Sequence, residues 1–309
     1  MSETAVASRP LTLHQALAAP HPSAPLAAYT HLRRSESILV TGWERTGAHQ
    51  FGVDAVWPKT LSTYLPYDPR ILAQAVRQSG LVVAHGEYGV PLEHQTVLNA
   101  LRFRISPGFR APRDEATALR ITIDVSDPNP GRRTPSSLHM RFHLAREGIT
   151  VARADSRFGW ISPAAYRRLR GDHIAVDWAE WPVPAPVTPA RVGRVAAGDV
   201  VLAPGDRDHS WLLRNDVSNT LLFDHPVDHV PGLVLVEAAH QAAYAFSAPL
   251  PLHAIRVDSR FDRYVEFDRP CLIEAMPLPT HAQNGSSVRV VATQGGETVA
   301  VVDFDGGTH

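Results

Sequence analysis

A single cysteine, Cys271, leaves nothing to pair with inside the chain, so no intrachain disulfide can form, and the composition fits a reducing, cytoplasmic interior. Lysine is as scarce. Among 30 basic residues only Lys59 is a lysine, and because it follows Pro58 it cannot belong to the Gly-Lys-Ser/Thr of a phosphate-binding loop. The sequence contains no GxGxxG, HExxH or GxSxG, which removes the usual warrants for dinucleotide-binding, zinc-protease and α/β-hydrolase chemistry. Nowhere do 18 apolar residues run together, which excludes a transmembrane helix, and the first twenty residues hold no continuous apolar stretch that would read as a signal peptide. Charge of one sign is lacking too. Thirty basic against 31 acidic residues give a net charge of −1, which supplies no overall field for nucleic acid or an anionic membrane.

What is present reads as an ordinary globular chain: 44% hydrophobic and 20% charged residues over 309 positions, long enough for two domains with cores of their own. Residues 1–30, rich in Ala, Pro and Ser, read as a flexible or loosely docked arm. Beyond it, Ser37–Trp43 and Gln50–Trp57 form a predicted hairpin. Asp68-Pro69 offers a cap and a first-position proline to a helix over Ile71–His85. Four strand-like runs follow, at Gln95–Ile105, Ala116–Val125, Ser137–Arg146 and Ile149–Phe158.

The segment WPVPAPVTP at 181–189 holds four prolines in nine residues and predicts an extended spacer. After it the order recurs. Strand-like Asp199–Ala203 and Ser210–Arg214 precede a helix at Pro231–Phe246, then runs at 252–262, 264–275, 286–293 and 297–304. The helices align as Leu72–Gln78 over Leu235–Gln241, with Leu, Ala and Gln matching at three of seven positions. One long apolar helix per strand-rich sheet, twice, predicts an α+β protein of two tandem hotdog domains, each an antiparallel sheet wrapped around its helix. The domains expected are 31–175 and 191–309, joined by a proline-rich linker at 176–190.

Candidate chemistry concentrates in Phe223–Ala243, FDHPVDHVPGLVLVEAAHQAA. Pro231 suits the first helical position, and the helix terminus offers the N–H groups of Gly232 and Leu233 to an anion or a polarised carbonyl oxygen. Glu237, with His240 and Gln241 on its face, is a carboxylate in an apolar helix, where desolvation tunes a general base; the alternative is that it points to solvent or makes a structural hydrogen bond with a strand. His225 and His229 stand four apart, but Pro226 interrupts any helix between them and no third ligand is well spaced, so no metal is expected. One histidine is expected to orient substrate or carry a proton, and the residues do not say which. Asp228 reads as a turn or capping residue, or as a member of the catalytic group Glu237, His229, His225 and Asp228. In the first helix Arg77 and Gln78 are polar among apolar neighbours and are expected to face the cleft. Arg256, Arg260, Arg263 and Arg269 cluster in the second half. Arg256 and Arg260 share one strand face and are candidates to clamp a phosphate, against the alternative of a solvated face. Cys271, between Pro270 and Leu272, reads as a buried strand residue.

The block at 223–243, with RFDRYVEFDRPC at 260–271, VTGWERTGAHQFGVDAVWP at 40–58 and DPRILAQAVRQSGLVVAHGEYGVPLEHQ at 68–95, resembles the A-factor synthase (AfsA) family of γ-butyrolactone autoregulator biosynthesis. The resemblance spans about residues 31–305. It implies tandem hotdog domains and transfer of a β-ketoacyl group from acyl carrier protein to the hydroxyl of dihydroxyacetone phosphate, the keto ester then cyclising to a butenolide or a furan. It implies no cofactor. Glu237 also matches the catalytic glutamate of hotdog dehydratases, but their histidine lies eight residues before the Pro-Gly, where this chain has Phe223. In the first helix Gln74 replaces the glutamate of family members, so the first copy is expected to shape the pocket. The alternatives are a hotdog thioesterase or dehydratase, and a non-catalytic acyl-ligand-binding protein. Neither nucleic acid nor membrane is an expected partner, and homo-oligomers are left open.

Overall fold

The computed structural model describes residues 24–59, 65–126, 135–178, 181–250, 252–279 and 285–307. Alternation of side chains organises its sheet. In β4 (Thr117–Ser126), Leu119, Ile121, Ile123 and Val125 point inward while Thr122 faces out, the period-two pattern of a strand with one buried face. Five more strands complete the first half: β1 (Val40–Arg45), β2 (Gln50–Trp57), β3 (Gln95–Ile105), β5 (Ser137–Arg146) and β6 (Ile149–Ile161). The second half contributes β7 (Leu202–Pro204), β8 (Ser210–Leu213), β9 (His253–Phe261), β10 (Cys271–Pro277), β11 (Gly285–Gln294) and β12 (Glu297–Gly307).

All twelve pair antiparallel in one sheet ordered β1-β2-β4-β5-β6-β3-β9-β12-β11-β10-β8-β7. Read from either edge inward, the two halves follow the same sequence of strands, so the expected duplication is a duplication of topology. They meet at β3 and β9, where Arg102 lies opposite Asp258.

The long helix of the first half, α2 (Pro69–Tyr88), packs on β1, β2 and β5; that of the second, α4 (Gly232–Phe246), packs on β7, β10, β11 and β12; and the two helices touch. Asp68 caps α2 by accepting the Arg70 N–H at 2.9 Å, and Gly89 ends it in the left-handed region at φ 62°. Gly80 lets α2 lie close on β6: a Cβ there would come within 2.6 Å of the Phe158 ring. Two short helices complete the structure, α1 (Ala24–Thr30) and α3 (Pro163–Arg170). Helix α1, at the end of the expected arm, packs on α2 and buries Leu26. Three expectations shift. Residues 35–37 form a 3-10 turn, so β1 starts at Val40 and not at Ser37. Residues 197–199 form a 3-10 turn, so β7 starts only at Leu202, and residues 264–270 are a loop, so β10 starts at Cys271. No helix is long and apolar enough to cross a membrane among the described residues.

Candidate active site

Duplication creates two related places where the loop before one long helix approaches the helix of the other half, and they differ greatly. One is a cleft of about 850 Å³. Its walls include Leu221–His225, His229 and Pro231–Leu233 before and at the start of α4, with Gln74 and Arg77 from α2 opposite. The other, beside the start of α2, holds about 20 Å³ and is lined by Tyr67, Pro69, Arg194, His240 and Phe304 among the described residues. Only the first has the volume of a ligand site.

In the open cleft the sequence Asp-His-Pro-Val-Asp-His gives two aspartate–histidine pairs. Asp228 Oδ1 lies 2.8 Å from His229 Nδ1, and Asp224 Oδ2 lies 3.1 Å from His225 Nδ1. A carboxylate only accepts, so each histidine carries a hydrogen on Nδ1 and has Nε2 left for other work. Asp228 is more than a turn residue. It also accepts the Tyr166 hydroxyl at 2.7 Å and Arg170 Nε at 3.1 Å, while Arg170 grips Glu266 with both terminal nitrogens at 2.5 and 2.7 Å. Burial works against its charge, but the hydrogen bonds from His229, Tyr166 and Arg170 hold its carboxyl down at about 2. The His229 ring sits edge-on to Tyr264, 4.6 Å between centroids, and Arg170 covers that tyrosine at 4.7 Å. Asp224 is fixed by the backbone N–H groups of Arg33 and Arg34 at 2.6 and 3.1 Å, and these hold its carboxyl below the usual range against the cost of burial.

Helix α4 begins beside these pairs. Pro231 stands at the N-cap, one position earlier than expected, and no side chain caps the helix. Gly232 and Leu233 both line the cleft, so their first-turn N–H groups, unpaired within the helix, are at hand for an oxygen that gains charge. Across the cleft Arg77 has no carboxylate within ion-pair distance among the described residues; its one hydrogen bond among them is to the Thr30 carbonyl at 3.4 Å. Burial lowers its guanidinium to about 10, against the pull of Asp224. A half-buried cation that makes no ion pair among the described residues, and feels only the more distant pull of Asp224, is a candidate site for an anion.

The structure keeps other expected residues out of this cleft. Glu237 is 1% exposed and Arg194 4%, and Arg194 Nε and Nη2 meet the two Glu237 oxygens at 2.7 Å each. Gln241 adds a hydrogen bond at 2.5 Å, and burial pushes the Glu237 carboxyl up against the pull of Arg194 and Arg70. Glu237 therefore lies behind Arg194, which lines the closed site, and the corresponding position at the open one is held by Gln74, which donates to the Leu221 carbonyl at 3.1 Å.

Gln78 and Gln241 are likewise not among the residues that line the cleft. Gln78 accepts from Leu39 N at 2.7 Å and donates to Ser37 O at 2.9 Å; Gln241 accepts from Val201 N at 3.0 Å and donates to Asp199 O at 2.8 Å. Each pins the chain leading into the first strand of its half, which is why both copies keep a glutamine there. Arg256 and Arg260 lie outward on β9, because Val257 and Ser259 are the residues that point in. Arg256 is near Asp258 and Asp305, and Arg260 bonds Asp262 at 3.0 Å. The arginines that reach the cleft are Arg77, Arg170, Arg263 and Arg269. Cys271 is buried, its thiol pushed up to about 12 by burial.

Sequence reasoning missed His31, Tyr166, Arg170, Tyr264 and Glu266. Ser162-Pro163 signals the start of α3 as Asp68-Pro69 signals α2, and Ser162 does accept the Ala165 N–H at 3.4 Å. Nothing local marks the others, whose partners are distant in sequence.

A twelve-stranded antiparallel sheet around two helices, with a cleft shared between the halves, defines a tandem hotdog protein. Solved structures agree on this fold. A putative oleoyl thioesterase from Lactobacillus plantarum superposes with a TM-score of 0.53 at 14% identity, covering 85% of this chain and 99% of that one. The 12:0-ACP thioesterase from Umbellularia californica gives 0.50 at 12% identity, covering 84% and 98%. The sequence profile of the A-factor biosynthesis hotdog domain matches twice, at residues 15–162 and 178–307, and the chain belongs to that family. Among its relatives, a 2-oxo-3-(phosphooxy)propyl 3-oxoalkanoate synthase of Streptomyces virginiae is 36% identical over 273 residues, 87% of this chain and 92% of the relative. One of Streptomyces griseus is 34% identical over 281 residues, 87% and 91%.

Proposed function

We propose that the chain is an acyltransferase that moves a β-ketoacyl group from a thioester on acyl carrier protein to the hydroxyl of dihydroxyacetone phosphate, giving a 2-oxo-3-(phosphooxy)propyl 3-oxoalkanoate. The observation that carries this reading is the meeting, in one cleft, of an uncapped helix terminus, a histidine backed by a fixed carboxylate, and an arginine lacking its own counter-ion. The relatives' name supports the product class.

The thioester carbonyl sits with its oxygen at the N–H groups of Gly232 and Leu233, where the helix dipole favours the negative charge of a tetrahedral intermediate. The acceptor's phosphate sits on Arg77, whose guanidinium makes no ion pair among the described residues. His229 serves the thioester end as proton carrier: Asp228 holds its ring and faces the imidazolium that forms when Nε2 takes a proton. His225, held by the Asp224 carboxylate whose charge acts on Arg77, is a second polar group for the acceptor.

The test is product analysis. Purified protein is incubated with a β-ketoacyl carrier thioester, with and without dihydroxyacetone phosphate. Ester formed only with the acceptor supports the transferase. Free β-keto acid at the same rate in both would make the chain a thioesterase, and binding without turnover would make it a ligand-binding protein.

A further inference from the structure

His31 lines the cleft, and its surroundings fix its tautomer. His31 Nε2 lies 2.8 Å from His85 Nε2, and His85 Nδ1 lies 2.7 Å from the Val90 carbonyl oxygen. A carbonyl only accepts, so His85 carries its hydrogen on Nδ1. A neutral His85 then offers a lone pair at Nε2, and burial favours that neutral form. His31 must donate from its own Nε2, which leaves His31 Nδ1 as a bare lone pair, the one ring nitrogen free for the cleft. The backbone of His31 is left-handed at φ 56°, a conformation few non-glycine residues adopt. The preceding residue, Thr30, carries the carbonyl that Arg77 contacts, so His31 and Arg77 are neighbours on one wall.

The titratable and charged groups that face His31 are His85 and Arg77 on α2 and His225, with its partner Asp224, in the loop before α4. Burial first, then His85, Arg77 and His225, hold the imidazole down at about 4, so in an empty cleft it is neutral and a weak base. A phosphate dianion on Arg77 reverses the local field and favours the imidazolium.

Resting on the transferase reading above, we propose that His31 is the catalytic residue that takes the acceptor hydroxyl's proton, and that it is basic enough to do so only while a phosphate occupies Arg77. The O–H bond breaks as its proton passes to His31 Nδ1, and the oxygen's electron pair forms the new bond to the thioester carbon. The carbonyl pair moves to the oxygen at Gly232 and Leu233. It returns as the C–S bond breaks. The proton that His31 took is delivered to the departing thiolate through His229 Nε2, so none is gained or lost over the cycle. Water brings no phosphate, so it is not activated, and the cleft transfers instead of hydrolysing.

Two measurements test this. In protein labelled with ¹⁵N-histidine, inorganic phosphate should raise the His31 titration midpoint by about one unit or more. The same addition to Arg77→Met should leave it unmoved. His31→Gln, which keeps a donor toward His85 but lacks an acceptor at the δ position, should lower kcat with the phosphorylated acceptor by about 10²-fold or more at unchanged Tm. His31→Asn, whose residue type tolerates the positive φ but whose amide oxygen is no base, should stay as slow as His31→Gln, which separates loss of the base from backbone strain. Inorganic phosphite should stimulate transfer to unphosphorylated dihydroxyacetone in the wild type and not in His31→Gln. A His31→Gln enzyme within about threefold of wild type, or a His31 midpoint indifferent to phosphate, would overturn the proposal. A wild-type protein that makes no ester at all would instead overturn the transferase reading, and the phosphate titration would still judge the coupling of His31 to Arg77.

Discussion

Arg194 holds Glu237 by both carboxylate oxygens inside the core, with Gln241 as a third contact, and this buried pair is where the two copies of the fold have diverged in use. At the equivalent point of the other copy Gln74 borders an open cleft. Removing one partner of a buried pair strands the other's charge, which costs about 3–5 kcal/mol, whereas replacing both by apolar residues is often close to neutral. Glu237→Gln and Arg194→Met should therefore each lower Tm by several degrees, and the double variant Glu237→Leu/Arg194→Met should recover much of the loss. Thermal unfolding of the three proteins checks this; strictly additive losses would contradict it.

Arg77 should matter to one substrate only. Arg77→Lys keeps the charge but loses the planar fork, and should raise KM for the phosphorylated acceptor by about tenfold; Arg77→Met should raise it further. Hydrolysis of a bare thioester should be unchanged in both. Arg256→Met and Arg260→Met, on the outer sheet face, should leave that KM at the wild-type value.

The carboxyl of Asp228 carries a pH dependence whose sign follows from its surroundings. Its folded value is depressed to about 2 from an ordinary value of 3.8, so the stability it contributes is complete above about 4 and is lost as pH falls through 2. Asp228→Asn should flatten the acid limb of the stability profile between those limits. At neutral pH it should also cut kcat by about 10²-fold with little change in KM, because His229 loses its orienting acceptor.

Gly232 tests the helix terminus. A Cβ there would meet nothing nearer than the Phe261 ring at 3.5 Å, so Gly232→Ala should fold normally. Its methyl group would enter the cleft at the oxyanion position, and kcat/KM should fall while Tm stays constant.

Strand alternation and the Asp68-Pro69 cap made most of the fold legible, because both are local: β3 and β5 run over the expected residues, and α2 starts at the expected proline. The site was legible only in part. His225, His229, Gly232 and Leu233 declare themselves because a loop rich in aspartate and histidine runs into an uncapped helix. Which helix faces that loop is set by the pairing of β3 with β9, a contact between residues about 156 apart in sequence, as Arg102 and Asp258 show. For that reason Glu237, the most conspicuous carboxylate in the sequence, lies beside Arg194 and away from His229. His31 carries no local signal either, since its meaning comes from His85 and Arg77.

Comparing His229→Gln with Glu237→Gln decides most directly which cleft does the chemistry. Each rate of transfer from a β-ketoacyl carrier thioester to dihydroxyacetone phosphate is divided by the fraction of protein folded at the assay temperature. The open cleft predicts that His229→Gln, at wild-type Tm, loses about 10²-fold or more, while Glu237→Gln transfers within about threefold of wild type per folded molecule. A folded but inactive Glu237→Gln beside a fully active His229→Gln would contradict it.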